Sequence, residues 1–394
     1  MKKILAVFLL FILAMSVYAG SLIEAGKDDI LYVCSVTEDK IGKGTFANLK
    51  SKGKTNGIIM KYSRDLSRCN TAVFGAEGDV VFCDVKRDRN GDFIVLGVAD
   101  ENSFGKGDLK GLKSFGGKDL IFVRYDKNLK VSDVQNFGSA GDDTADRLIV
   151  TGLGKIAVAG RSFMKKDNIS KGFVCKLDEK FKSENVLEFR GSFKTSEDAD
   201  ITEFSSVCEC ANGTFIVLGH TQNADNLQKA LVIQINDNFE IIRKKSFGTK
   251  DSIIRFTDIA EKPEGGFVAV GYSQENTQKG FIAELSMNLE KQYAFNYMPA
   301  YKGKNSKYNG LYSIEKFKNY DCYVVCGNAV FNTGGSINYY NIFVPGSPFS
   351  EIYPFPDFSS LSHLVCEDTS FYAVGIKENR VVSRQLVWFE EDIF

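Results

Sequence analysis

The chain holds many carboxylates but only two histidines, His220 and His363, so acid–base or nucleophilic chemistry has few imidazoles to draw on. Neither histidine lies near a Gly-x-Ser-x-Gly nucleophile elbow. His220 directly follows an apolar run ending at Gly219 and reads as a loop residue. Paired Asp and Glu residues could serve glycoside hydrolysis, but that chemistry depends on a separation in space that chain order does not supply. Asp79, Asp142, Asp198 and Asp251 recur soon after Phe-Gly corners and read as turn residues accepting backbone N–H bonds. The densest acidic group, Asp142-Asp143 with Asp146, lacks the compact loop that brings roughly six to eight oxygens onto calcium. Gly53-Lys54-Thr55 imitates the end of a phosphate-binding loop, yet Asn48 stands where the motif needs glycine and no helix follows. No catalytic residue, metal ligand or cofactor is assigned.

Nine cysteines, an odd number, cannot all pair within one chain. Strand residues two apart lie roughly 7 Å apart and those four apart roughly 13 Å. Cys208–Cys210 and Cys322–Cys326 are therefore poor disulfides if those stretches are strands. Most of the thiols read as small buried hydrophobes.

One pair of segments stands out by its lysines. Ile41-Gly-Lys-Gly44 matches Phe104-Gly-Lys-Gly107, and Leu49-Lys-Ser51 matches Leu112-Lys-Ser114 at the same offset. Lys43, Lys50, Lys106 and Lys113, with Phe46 and Phe104, form the candidate ligand-binding set: a basic rim for an anionic glycan or for a partner protein's carboxylates. The plainer reading is a pair of solvated, duplicated loops, lysine being the usual residue of exposed surface.

The elements that position these residues repeat. Phe93-Ile-Val-Leu-Gly97, Ile156-Ala-Val-Ala-Gly160, Phe215-Ile-Val-Leu-Gly219 and Phe267-Val-Ala-Val-Gly271 share one pattern. Leu31-Tyr-Val-Cys-Ser35, Tyr323-Val-Val-Cys-Gly327 and Phe371-Tyr-Ala-Val-Gly375 are weaker copies. A shorter apolar segment and a tight turn such as Asn90-Gly91 or Asn212-Gly213 precede each run, and two further strands follow. Four strands per unit, seven units and no helical periodicity predict an all-β, seven-bladed propeller of four-stranded antiparallel blades. The last unit lacks a clear outermost strand.

Gly265-Gly-Phe-Val-Ala-Val-Gly271 and Lys176-Leu-Asp178 resemble the repeats of bacterial exported β-propeller proteins. That resemblance implies a fold and export; it implies no shared activity. The N-terminus agrees: Lys2 and Lys3 precede the apolar run Ile4–Val17, and Val17-Tyr-Ala19 suits signal peptidase. The run is shorter than the roughly 20 residues that span a bilayer. Residues 1–19 are thus expected to be a signal peptide, and 20–394 one propeller domain. After cleavage no membrane span is expected, and the location is periplasmic, cell-surface or extracellular.

A net charge of −1 provides no whole-molecule field for nucleic acid. The function expected from these readings is a non-catalytic, monomeric binding protein for a protein or anionic glycan ligand. The alternative is a polysaccharide hydrolase or lyase with carboxylates in a central funnel. The two differ at the axis: an enzyme should gather charged residues with shifted pKa values there, whereas a binder should carry a patch on one rim.

Overall fold

The structure, a computed structural model, describes residues 23–191, 201–223, 228–249, 252–317, 320–346, 352–355, 364–366, 370–377 and 380–387. The expected signal peptide, Asp198, Asp251, His363 and the tail from 388 lie outside the described residues.

The strands follow the repeat. The first unit comprises β1 (Ile23–Ala25), β2 (Asp29–Thr37), β3 (Thr55–Ser63) and β4 (Cys69–Phe74). The second has β5 (Val80–Arg87), β6 (Phe93–Asp100), β7 (Lys118–Tyr125) and β8 (Val131–Phe137). The third has β9 (Asp142–Val150), β10 (Ile156–Met164), β11 (Ile169–Leu177) and β12 (Ser183–Phe189). The fourth has β13 (Ile201–Glu209), β14 (Phe215–Gln222), β15 (Gln228–Ile235) and β16 (Ile241–Phe247). The fifth has β17 (Ile253–Glu261), β18 (Phe267–Gln274), β19 (Gln278–Leu285) and β20 (Lys291–Tyr297). The sixth has β21 (Ala300–Tyr301), β22 (Lys304–Lys316), β23 (Tyr323–Phe331), β24 (Ser336–Phe343) and β25 (Tyr353–Phe355). The last has β26 (Leu364–Cys366), β27 (Ser370–Lys377) and β28 (Arg380–Val387).

Within each unit, neighbours in sequence pair antiparallel. The hydrogen-bonded sheets are not all four-stranded, however. β5 to β16 form one 12-stranded sheet. The reason is local: the start of a third strand pairs in parallel with the start of the next unit's first strand. Lys118 meets Asp142, and Ser170 meets Ile201. An isolated bridge between Thr55 and Asp79 links the first two units in the same way.

The apolar runs are buried along their whole length, because each second strand is covered on both faces. Phe215 to Leu218 are at most 1% exposed. Each apolar cluster joins two neighbouring units. Leu31 and Ile59 pack with Phe82 and Phe93, Leu218 and Val232 with Phe256 and Phe267, and Val324 with Leu364 and Phe371. Tyr372 of β27 packs into the cluster of Tyr32, Ile58 and Met60, so the last unit lies against the first. Arg64 caps that seam over the Tyr372 ring, 4.8 Å from its centroid. Full burial of side chains this large contributes about 1.5–3 kcal/mol each.

The recurrent glycine has a steric cause. In the second to sixth units the first strand carries a bulge opposite it, as between Phe204 and Ser206 or Phe256 and Asp258. The bulge pushes a carbonyl toward the second strand. A Cβ on Gly219 would lie 2.1 Å from the Glu203 carbonyl oxygen, and one on Gly271 2.0 Å from that of Arg255. Only glycine admits this approach. Among the described residues no helix is long and apolar enough to cross a membrane.

Candidate ligand site on the inner strands

The bulge and its glycine set up the site. At one level, directly beside the motif glycine, the first two strands of the second to sixth units present a registered pair of residues. These pairs are Val81 with Val98, Thr144 with Arg161, Glu203 with His220, Arg255 with Tyr272, and Gly310 with Asn328. The second unit is apolar here; the next four are polar. Paired side chains share a face, so this level forms a polar arc over the third to sixth units.

Its charges are linked across units. Arg161 Nε donates to Thr144 Oγ1 at 3.2 Å, and its Nη1 to Glu203 Oε2 at 3.4 Å. His220 Nε2 lies 3.9 Å from the same carboxylate oxygen. Arg255 Nε donates to Gln228 Oε1 at 3.1 Å. The Nη groups of Arg255 have no acceptor among the described residues. Burial opposes ionisation of Glu203, but Arg161 first, then His220 and Arg255, outweigh it and hold its pKa below the usual value. His220 is driven to about 3, by burial first and then by Arg255, and is neutral. Burial and the Glu203 charge raise Asp146, the bulged residue of β9, to about 7.

One step further along the inner strands lie Asp84, Arg147, Ser206, Asp258 and Ser313, each just past its bulge. Asp84 Oδ2 accepts from the Leu148 amide at 2.8 Å, and Asp258 Oδ2 from the Ile314 amide at 3.2 Å. Each aspartate therefore fastens the following unit. Lys86 pairs with Glu24 at 3.3 Å. Burial raises Asp84 to about 6 and Glu315 to about 7, against the pull of Lys86 and Arg147 on both.

The loop residues singled out in the sequence are placed differently. Lys43, Lys50, Lys106 and Lys113 are exposed, whereas Phe46 and Phe104 are 4% and 9% exposed. Both rings are seam residues, so the expectation that they face a ligand is corrected. The short turn Gly44–Phe46 buries the Phe46 ring, whereas Phe104 directly follows the turn Glu101–Ser103, and the buried residue of the turn Gly107–Leu109 is Leu109. The lysines are not gathered by a common acceptor: Lys106 pairs with Glu77, and Lys52 with Asp108 at 2.7 Å. His220 is corrected too; it lies within β14 and is 5% exposed. All nine cysteines are free thiols and six are buried. No group of three or more His, Cys, Asp or Glu among the described residues could hold a metal ion.

The polar arc escaped the sequence reading, although a signal was present. The residue after the repeated glycine runs Val98, Arg161, His220, Tyr272, Asn328 while the glycine stays constant.

Neither a family model nor a curated protein matches the sequence. Solved structures match the fold. A protein of unknown function from Dyadobacter fermentans is 12% identical, with a TM-score of 0.52 over 76% of this chain and 92% of that one. A puromycin hydrolase variant in complex is 8% identical, with a TM-score of 0.53 over 93% of this chain. This chain spans about half of that enzyme, 51% of its length. A Hadza microbial sialidase is 9% identical, with a TM-score of 0.50 over 86% of this chain and 74% of that one. The structural neighbours are β-propellers. At such identity the likeness concerns the fold alone, and the neighbours include both hydrolases and a protein of unknown function.

Proposed function

We propose that the chain is an exported, seven-bladed β-propeller that binds an anionic ligand at the polar arc of its third to sixth units. Ring closure is supported by the contact of the last unit with the first through Tyr372 and Arg64. The observation that carries the binding site is the contact of Arg161 of the third unit with Glu203 of the fourth, with Arg255 of the fifth unit acting on the same carboxylate electrostatically. Two guanidinium groups against one firmly ionised carboxylate leave a local positive excess. A partly exposed arginine with unused planar donors matches a carboxylate or phosphate. The loop lysines are the weaker site, because their charges are spread or neutralised.

The test is binding of the mature chain to an array of acidic glycans and envelope proteins. Arg161→Ala and Arg255→Ala should each remove binding that survives joint replacement of Lys43, Lys50, Lys106 and Lys113 by Ala. Binding lost with the lysines and kept without the arginines would move the site to the rim.

Hydrolysis or lyase chemistry on a polysaccharide is a second reading. It is favoured by Asp146, raised to about 7, beside Glu203, lowered below its usual value. Carboxyl groups pushed in opposite directions suit an acid and its counterpart base. Release of reducing ends from the glycan bound, abolished by Asp146→Asn with binding intact, is the result this reading requires.

A further inference from the structure

The two long loops rejoin their third strands with the same geometry. Ser51 Oγ donates to the Gly53 carbonyl at 2.8 Å, and Ser114 Oγ to that of Gly116 at 2.6 Å. The Lys52 amide donates to Asn56 Oδ1 and the Phe115 amide to Asp119 Oδ2, both at 2.8 Å. Lys52 and Phe115 therefore hold equivalent places on the first and second units. Their surroundings differ. The second unit's loop lies over Lys52, where Asp108 pairs with Nζ at 2.7 Å and accepts from the Gly75 amide at 2.9 Å. The Asp108 amide donates back to the Gly75 carbonyl at 3.0 Å. Nothing comparable reaches Phe115 among the described residues, because the third unit has only a short turn between Met164 and Ile169. The Phe115 ring is 58% exposed, the largest exposure of any aromatic residue described. Gly138 follows Phe137 as Gly75 follows Phe74 and is partly exposed. No acceptor for its N–H lies among the described residues.

We infer that Phe115 and Gly138 form a docking surface for a turn of another protein, one that carries an apolar residue among acidic ones. The molecule itself shows how such a turn sits. Gly107–Leu109 rests on the first unit, with Leu109 fully buried in the cluster of Phe74 and Ala76. The exchange of Lys52 for Phe115 changes what the incoming residue must be. A lysine takes a carboxylate, whereas an exposed ring takes an apolar side chain. Charge sets the rest. Lys110, Lys113 and Lys118 flank the ring in the chain, are exposed, and pair with no carboxylate among the described residues. The nearby acids are committed, Asp108 to Lys52 and Asp142 to Lys165 at 2.9 Å. An acidic segment thus meets uncompensated positive charge around an apolar centre. The inference does not depend on the anion-binding reading, since none of these residues belongs to the arc.

The probe is a phage-displayed library of disulfide-closed random peptides, selected on the mature chain. Selected sequences should carry Asp or Glu around an aromatic or aliphatic residue. Phe115→Ala should weaken them by roughly tenfold or more, and so should Lys113→Glu combined with Lys118→Glu. Phe115→Trp, which keeps an exposed ring, should retain them, and Arg255→Ala should leave them unchanged. All these side chains are at least partly exposed, so the variants should melt with the parent; a Phe115→Ala that melts early is read through the lysine pair, which leaves the ring in place. Selected peptides without acidic residues, or acidic peptides that bind Phe115→Ala as well as the parent, overturn the inference. So does a selection that enriches nothing above the Phe115→Ala protein. Peptide binding lost with Arg255→Ala moves the contact to the arc and overturns it too. Sedimentation of the parent addresses the remaining occupant: self-association that Phe115→Ala abolishes assigns the surface to a second copy instead of a different protein.

Discussion

Arg147 on the first strand of the third unit reaches Asp258 on the first strand of the fifth, Nη2 to Oδ1 at 3.2 Å, past the unit between them. The arginine is 9% exposed and the aspartate 1%. Two further donors of Arg147, Nε and Nη1, have no partner among the described residues. The same carboxylate accepts from Ser206 Oγ of the fourth unit at 3.5 Å and from the Ile314 amide of the sixth, so a single aspartate ties four units together.

Removing one member of this pair should cost more than removing both. Arg147→Met leaves a buried carboxylate without its cation, and Asp258→Leu leaves the reverse; each should lose about 3–5 kcal/mol. The double variant should fall well short of the sum. Urea denaturation of the four proteins reads the coupling, and additive losses would show that the bridge contributes nothing as a pair.

Stability should also depend on pH in two opposed ways. The unfolded chain sheds carboxyl protons near pH 4, while the folded chain keeps those of Asp84 to about 6 and of Asp146 and Glu315 to about 7. Between those limits folding takes up protons, so these groups lower stability as pH rises from about 4 through 7. His220 runs the other way. It is neutral in the fold down to about 3, whereas the unfolded chain protonates it below about 6.5. Its contribution is lost as pH falls through that window. Asp146→Asn with Glu315→Gln should flatten the decline between pH 5 and 8, and His220→Gln the loss between pH 6 and 4, both read as urea midpoints.

Gly219→Ala should damage fold and site together. Its Cβ must displace the Glu203 carbonyl, an overpacking cost of roughly 1–3 kcal/mol. The same displacement shifts the carboxylate that Arg161 and His220 flank. Acidic-ligand affinity should therefore drop even at temperatures where the variant is fully folded, as followed by circular dichroism and titration in parallel. Gly213→Ala, in an exposed turn with φ of +78°, should cost stability alone.

The rings of the two long loops should behave as core. Phe46→Ala and Phe104→Ala should each lose about 3–5 kcal/mol, whereas Lys43→Ala, Lys50→Ala and Lys113→Ala should stay within about 0.5 kcal/mol of the parent. Thermal melts separate the two groups. A mild effect at either phenylalanine would return that ring to the surface.

How far the sequence disclosed this molecule depends on what repeats. The strands around Phe93, Phe215 and Phe267 were legible because two-sided burial demands an unbroken apolar run, and the glycine after each because a neighbouring carbonyl excludes any Cβ. The 12-stranded sheet was not legible: pairs such as Lys118 with Asp142 depend on where two units meet, which no local pattern encodes. In sequence His220 reads as a loop residue because the repeated pattern ends at Gly219, whereas β14 continues to Gln222. The burial of Phe46 and Phe104 is not legible, because an aromatic residue in a long loop looks the same in sequence whether it anchors or binds.

The parallel bridges at Thr55, Lys118 and Ser170 bind the first four units into one backbone-bonded block. No such bridge leads from the fourth unit to β17 among the described residues. The Gln228–Arg255 bond and the packing of Phe247 on Phe256, ring centroids 5.6 Å apart, cross that boundary through side chains alone. Amide hydrogen exchange should find the block opening as one slow cooperative unit and this seam breathing faster. The proposed ligand site straddles the seam, with Glu203 on the slow side and Arg255 on the fast one, so an occupant that holds both would act as a clasp across it.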